Sequence, residues 1–349
     1  MHLYNNSTQQ KLKSDIAGRV VWLDVARAIG IYAIYLGHFG EAAGPAYRFV
    51  FQFHVPLFFF LGGCTENYNQ EESLFRNIKR NIKTILLPAY FFAIMSLMIY
   101  VINVNADLME VRIWGQLIIK GLVRNTYLAA SLWFLTCLFV VKTIFALLKM
   151  VKKWYWLVAA GIFMFLLAEY GMSPRPIDSP RYYYNLDSAC YYMHFYIIGF
   201  LAYPYLNEWL EKTGNIAKSA KTVIVVGLLG YAGLIYFQIN ILSYIPFHNM
   251  IADSVLRLVK TYLMIGAVIM LAYYLQEIEV LSKIGQDTLY LCGSEYMVKI
   301  VVPSLCGIVG LATNLDGPLY VCIYTMILLW AGEKIFVPWE KNIIRKMRR

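Results

Sequence analysis

The stretch VVWLDVARAIGIYAIYLGHFG, residues 20–40, decides the fold of this chain. It is long and apolar enough to cross a bilayer, since a membrane helix needs about 20 mostly apolar residues. Three ionisable residues, Asp24, Arg27 and His38, nevertheless lie within it. Ionisable side chains are costly in a membrane, so they usually face a cavity, pair with one another or take part in chemistry.

These three side chains share one face of the expected helix. Arg27 and His38 are eleven residues apart, which is about three helical turns and about 16 Å along the axis. Asp24 precedes Arg27 by three residues and can reach it. The pattern indicates an acid, a permanent cation and a titratable imidazole along one cavity. The alternative is a structural ion pair with a histidine that caps the helix.

The composition extends this interpretation to the whole chain. The 349 residues are 60% hydrophobic and 15% charged, which is too apolar for a soluble domain. We predict an all-α polytopic membrane protein of about ten transmembrane helices. Their expected positions are 20–40, 46–64, 83–103, 127–148, 154–171, 189–206, 220–239, 254–275, 286–308 and 317–337.

The distribution of basic residues explains the net charge of +10. Lys and Arg are concentrated in alternate connections and at both ends of the chain, which by the positive-inside rule places both termini in the cytoplasm. The transmembrane domain is then 20–337, between cytoplasmic tails at 1–19 and 338–349. We expect a multi-pass protein of the plasma membrane (the inner membrane in a bacterium), with the bilayer rather than nucleic acid as its partner.

Several other classes of site are not expected. The six cysteines lie in or beside hydrophobic segments without CxxC spacing, which argues against a disulfide framework or a cysteine metal site. No P-loop and no GxGxxG after a strand occurs, so an ATP-driven pump or a dinucleotide enzyme is not indicated. Two histidines without clustered carboxylates are a poor ligand set, and we expect no metal.

The second hydrophobic segment contains FQFHVPLFFFLGG, residues 51–63. Pro56 is expected to kink its helix, which membrane helices tolerate where they line a cavity. His54 is expected about two turns in from the outer end, close in depth to His38. Either imidazole could act as a general base on a hydroxyl. Two histidines at matching depth favour a site over a structural strut.

A basic run, RNIKRNIKTILLPAYFF, occupies residues 76–92. Its cations fall within about two helical turns at the cytoplasmic face. They could simply anchor the helix as the positive-inside rule requires. They could also hold phosphate groups, which Arg binds with a bidentate fork and Lys with a point charge. The four residues are Arg76, Lys79, Arg80 and Lys83.

These pieces, in this order, resemble a known family. Arg27 with His38, FHVPLFFFLGG, the basic run and LWFL at 132–135 are together similar to the acyltransferase 3 family of integral-membrane acyltransferases, most of all its fucose 4-O-acetylase-like branch. HFYIIGF at 194–200 and IGQDTLYL at 284–291 resemble further segments of the family. The resemblance covers about residues 19–337.

The resemblance implies transfer of an acyl group, commonly acetyl from cytoplasmic acetyl-CoA, to a hydroxyl of a cell-surface or lipid-linked glycan. Arg27 and His38 correspond to the family's site residues, and we group Asp24 and His54 with them as catalytic candidates. Arg80 and Lys83 correspond to its Arg-x-x-Arg pair. With Arg76 and Lys79 they would bind the phosphates of acyl-CoA.

The chain departs from the family's pattern at several positions. Lys83 replaces an arginine, Ser131 a histidine before WFL, and Glu295 a histidine after the late signature. We expect Glu295 to pair with Lys299 one turn away, and assign Glu295 and Trp133 to substrate binding. A transporter or polysaccharide exporter of the same fold without acyl transfer is the alternative function. The acceptor, the choice of acetyl or succinyl, and the oligomeric state are left open.

Overall fold

The computed structural model describes residues 19–66, 73–124, 130–151, 153–172, 181–211, 215–239, 249–308, 310 and 317–348. Within these ranges the regular structure is helical and no strand occurs. The prediction of an all-α protein is therefore confirmed.

The α-helices are numbered here in chain order. They are α1 Val21–Gly37, α2 Pro45–Val50, α3 His54–Cys64, α4 Leu74–Asn81, α5 Leu87–Val104, α6 Leu108–Ile119, α7 Trp133–Lys149, α8 Trp154–Leu166, α9 Leu186–Glu211, α10 Asn215–Tyr236, α11 Met250–Tyr274, α12 Glu279–Gln286, α13 Thr288–Ile308, α14 Pro318–Ala331 and α15 Val337–Met347. Turns of π-helix at Ile82–Leu86 and Gly332–Phe336 join α4 to α5 and α14 to α15, and a third, Leu167–Met172, extends α8. Short 3₁₀ helices occupy Gly40–Ala43 and Tyr183–Asn185.

Among the residues that the structure describes, six helical stretches are long and apolar enough to cross a membrane. The expected number of about ten spans stays a prediction, because α1 and α7 have only 17 residues each, the segment 46–64 is interrupted, and α9 is not among the six. The cytoplasmic location of the termini also stays a prediction. The six stretches are Leu74–Val104, Trp154–Met172, Ser219–Tyr236, Met250–Tyr274, Thr288–Ile308 and Pro318–Met347.

The second hydrophobic segment differs from the expected single kinked helix. The helix α2 ends at Val50 and α3 begins at His54. Pro56 lies in the first turn of α3, where a missing N–H is tolerated, whereas its ring would clash with the carbonyl one turn earlier in a continuous helix. The expected kink is therefore a complete break, and His54 is the first residue of α3.

Glycine allows the central helices to approach one another closely. A Cβ atom at Gly63 of α3 would collide with the carbonyl of Tyr196 in α9, and one at Gly199 of α9 would collide with the carbonyl of Phe60 in α3. In the same way Gly285 of α12 packs against the carbonyl of Asp24 in α1. The first two contacts join α3 to α9, and the third holds α1, which carries the ionisable residues, against α12.

Candidate functional site

The candidate site is built around a histidine at the end of α1. His38 is the residue that follows the last helical position, and its Nδ1 lies 2.6 Å from Oε1 of Glu295 in α13. Nζ of Lys299 lies 2.8 Å from the same carboxylate oxygen, which confirms the expected ion pair one turn along α13. Lys299 also donates to the carbonyl of Tyr35 at 2.9 Å. Glu295 is almost completely buried, with a side-chain exposure of 2%.

The partner of His38 determines which of its nitrogen atoms can act as a base. A carboxylate accepts hydrogen bonds and does not donate them, so Nδ1 of His38 carries the hydrogen. In the neutral ring Nε2 then has a free lone pair. The His38 side chain is 20% exposed, whereas its partner is enclosed. The arrangement is that of a base held by an orienting carboxylate.

The second histidine lies nearby in an apolar environment. Nδ1 of His54 donates to the carbonyl of Val50 at 2.7 Å, across the break between α2 and α3. Its ring packs edge-on against Phe51 with centroids 4.8 Å apart. His54 is close enough to His38 and Glu295 for their charges to interact. The structure thus brings both histidines into one region, as their sequence positions indicated.

A buried aromatic cluster of Trp133, Tyr192 and Phe59 surrounds the guanidinium of Arg124. The guanidinium of Arg124 lies 3.8 Å from the centroid of the Trp133 ring and donates to the hydroxyl of Tyr192 at 3.4 Å. Phe59 stacks on Tyr192 with centroids 4.6 Å apart, and Arg124 is within electrostatic reach of His54. The sequence did not predict that Arg124 meets Trp133 and Tyr192, because their contact depends on how the loop after α6 packs against α7 and α9.

Asp24 and Arg27 form a separate group nearer the start of α1. Oδ1 of Asp24 accepts from Arg27 at 2.8 Å, and Oδ2 accepts from Arg19 at 2.6 Å. Asp24 is 1% exposed and Arg27 is 21% exposed. The expected pairing of Asp24 with Arg27 is confirmed. Two basic partners fully occupy Asp24, which holds Arg27 in place rather than facing His38.

The four basic side chains singled out in the sequence occupy the first turns of the stretch Leu74–Val104. Arg76 and Lys79 are exposed in α4, Arg80 is half-buried, and Lys83 lies in the π-helical turn. The hydroxyl of Ser73 caps α4 by accepting from the backbone N–H of Arg76. We call Arg76, Lys79, Arg80 and Lys83 the basic cluster. Its side chains are spaced so that several could contact one phosphorylated ligand.

A buried ion pair that the sequence analysis missed lies between α3 and α7. Oε2 of Glu66 accepts from Nζ of Lys142 at 2.7 Å and from the hydroxyl of Tyr196 at 2.5 Å. Burial raises the pKa of the Glu66 carboxyl. The charge and hydrogen bond of Lys142 lower it, together with the hydrogen bond of Tyr196, and their combined effect is the larger, so the pKa lies below its usual value. The sequence shows Lys142 as a lone charge in an apolar segment. It does not identify Glu66 as the partner, because Glu66 lies in the loop after α3.

Besides the pair of Asp24 and Arg27, the candidate side chains fall into two larger groups. We call His38, His54, Glu295 and Lys299 the histidine cluster, which lies apart in sequence from the basic cluster. In the ranges that the structure describes, no three His, Cys, Asp or Glu side chains are grouped to hold a metal ion.

Comparison with known proteins identifies the family. Residues 20–331 match the family model of the acyltransferase 3 family, described as an acyltransferase domain. No curated protein and no solved structure matched the chain. The matched region includes every residue of the histidine cluster and the basic cluster. With six apolar helices of membrane-spanning length in the described part of the chain, this multi-pass membrane protein belongs to the acyltransferase 3 family.

Proposed function

We propose that the protein is an O-acyltransferase that moves an acyl group, acetyl foremost, from cytoplasmic acyl-CoA to a hydroxyl of a cell-surface or lipid-linked glycan. The observation that carries the proposal is the 2.6 Å contact between Nδ1 of His38 and Oε1 of Glu295. It gives a partly exposed imidazole the tautomer of a general base.

The reaction follows from this tautomer. Nε2 of His38 removes the proton of the acceptor hydroxyl as its oxygen attacks the thioester carbonyl carbon. The C–S bond breaks, and the thiolate leaves with the proton that His38 returns. An ester and free CoA thiol are formed, with no covalent intermediate on the enzyme. Removing a general base typically slows a reaction by about 10²–10⁴-fold.

In this scheme Glu295 positions the general base His38 and stabilises its positive charge. His38 becomes positively charged while it holds the proton, and a carboxylate at 2.6 Å stabilises that charge. Lys299 contacts the same oxygen and favours the ionised carboxylate when the acceptor proton moves. We therefore propose Glu295 as a positioning residue for His38, in place of the expected direct contact with the acceptor.

The donor would be held by the basic cluster. Acyl-CoA carries several phosphates, and Arg80 with Lys83 supplies one planar fork and one point charge for them. Arg76 and Lys79, exposed one turn earlier, add positive charge at the entrance. Arg27, held by Asp24, would line the channel for the acyl-bearing arm.

The acceptor would meet the aromatic cluster at Arg124. Trp133 and Tyr192 are 4% and 2% exposed, and the guanidinium of Arg124 lies over the Trp133 ring and donates to the hydroxyl of Tyr192. Trp133 would therefore bind the acceptor through Arg124, whose guanidinium it holds toward the hydroxyls. His54, which interacts with the charges of His38 and Arg124, would orient the acceptor beside His38.

The test is an acyl-transfer assay in native membranes. Membranes with the wild-type protein receive acetyl-CoA labelled in the acetyl group, and alkali-labile label is measured on the extracted glycan. We expect label with the wild type and none after deletion of the gene. The same deletion strain should still display its glycan, now without O-acetyl groups. Loss of the glycan from the surface, with no label transferred by the wild type, would instead indicate an exporter.

A further inference from the structure

Pro88 leaves one backbone carbonyl beside the π-helical turn at Ile82–Leu86 without its helical N–H donor. In α-helical geometry the carbonyl of Thr84 would accept from the N–H of residue 88, and in π-helical geometry the carbonyl of Lys83 would do so. Residue 88 is proline and has no N–H. The sequence of the basic run thus creates one unmet hydrogen bond beside Lys83 whichever geometry the turn adopts.

Arg348, at the end of the C-terminal helix, donates to both of the carbonyls that Pro88 could leave unpaired. Nε of Arg348 donates to the carbonyl of Lys83 at 3.1 Å, and Nη2 of Arg348 donates to the carbonyl of Thr84 at 3.2 Å. In return, Nζ of Lys83 donates to the carbonyl of Arg348 at 3.3 Å. Three hydrogen bonds therefore join the two chain segments. The planar guanidinium is needed to reach both carbonyls at once.

We propose that Arg348 is a positioning residue of the acyl-CoA site. Arg348 fixes the π-helical turn, which carries Lys83 and comes directly after the helix that carries Arg80. Both cations are therefore already in place when acyl-CoA binds. A site that is ordered before binding loses less conformational entropy and therefore binds more tightly. This inference rests on the proposed function, since it assumes that the basic cluster holds the phosphates of acyl-CoA.

The chain offers a matched control. Arg345 lies on α15 one turn before Arg348, is exposed, and carries the same charge. Arg348→Ala and Arg345→Ala therefore change the net charge equally, but only the first removes the two side-chain bonds to the turn. Pro88→Ala provides a second control, because it restores the backbone N–H and should make Arg348 less important.

The experiment measures the Kd of acetyl-CoA by titration calorimetry on the purified full-length protein, together with KM and kcat. We expect Arg348→Ala to raise Kd and KM about tenfold, the order for lost hydrogen bonds of a charged group, with little change in kcat. Arg345→Ala should bind nearly as well as the wild type. Adding Pro88→Ala to Arg348→Ala should recover much of the affinity.

Two results would overturn the inference. If Arg348→Ala binds acetyl-CoA as tightly as the wild type, or no more weakly than Arg345→Ala, Arg348 acts through charge alone or not at all. If the wild type binds acetyl-CoA in either of these cases, the inference about Arg348 fails but the proposed function is unaffected. If the wild type itself binds no acetyl-CoA, the assignment of the basic cluster fails, and the role of Arg348 fails with it.

Discussion

Nδ1 of His38 contacts Oε1 of Glu295 at 2.6 Å across 257 residues of sequence. The contact joins the end of α1 to the middle of α13 and sets the tautomer of the imidazole. Lys299 shares the same oxygen, so the carboxylate is held from two sides. Catalysis by His38 should therefore depend on Glu295 although Glu295 need not touch either substrate.

The first prediction is that Glu295→Gln lowers turnover by about 10²–10⁴-fold, the range for losing a competent general base. The amide keeps the shape of the side chain, but its NH₂ group can donate to Nδ1 and hold the wrong tautomer. Initial rates with acetyl-CoA measure the loss, and size-exclusion chromatography checks that the variant is folded. Glu279→Gln, an exposed change on α12, is the control. An unchanged rate in a folded Glu295→Gln variant would remove the carboxylate from the mechanism.

A second prediction separates the two histidines. His54→Ala should lower turnover less than His38→Ala, because His54 has a backbone carbonyl as its partner and no carboxylate. His54→Ala also removes the hydrogen bond that joins α3 to the end of α2. Its kinetics should therefore be compared at matched amounts of folded protein. If His54→Ala proves the more damaging change, the base has been assigned to the wrong imidazole.

A third prediction concerns the donor. Arg80→Ala should raise KM for acetyl-CoA more than it lowers kcat, because it removes binding that the ground state and the transition state share. Lys83→Arg restores the residue that the family resemblance implies and should be tolerated. Arg76→Ala, at a more exposed position, should have a smaller effect. An unchanged KM in Arg80→Ala with poorer membrane insertion would support the anchoring interpretation.

A fourth prediction concerns stability. Glu66→Gln leaves the charge of Lys142 without its partner, which should lower the free energy of unfolding by about 3 kcal/mol at neutral pH, near the low end for a broken buried pair. The pKa of Glu66 is lower in the folded protein than its usual value, so the pair stabilises the fold at neutral pH. That contribution is lost as the pH falls through the folded-state value.

The melting temperature in detergent, measured from pH 7 downwards, checks this prediction. The difference between wild type and Glu66→Gln should be largest at neutral pH and should narrow in acid, where the wild-type carboxyl is also protonated. Glu66→Gln combined with Lys142→Met should recover part of the loss, since no charge is then left unpaired. A difference that does not vary with pH would show that the ion pair is not its cause.

Contacts within one helix could be predicted from the sequence. Asp24 with Arg27 and Glu295 with Lys299 are three and four residues apart, and helical periodicity alone brings such pairs together. The matching depth of His54 and His38 in the bilayer stays a prediction from the positions of both in their segments. These local relationships identified most of the candidate site before its geometry was known.

Contacts between helices could not be predicted in the same way. His38 meets Glu295, and Arg124 meets Trp133, because of how helices pack, which no periodic pattern specifies. Pro56 was recognised as an irregularity, but a kink and a complete break have the same sequence signal. The bonds of Arg348 to Lys83 and Thr84 depend both on Pro88 and on the position of the C-terminal helix. Of these two causes, only Pro88 can be identified from the sequence.

The central claim is tested most directly by His38→Ala in the membrane assay with labelled acetyl-CoA. Wild-type and variant proteins are brought to equal amounts in membranes from the deletion strain, and alkali-labile label on the glycan is compared. We predict label with the wild type and a loss of about 10²–10⁴-fold in the rate with His38→Ala, as for removal of a general base. Equal labelling by both proteins would contradict the account.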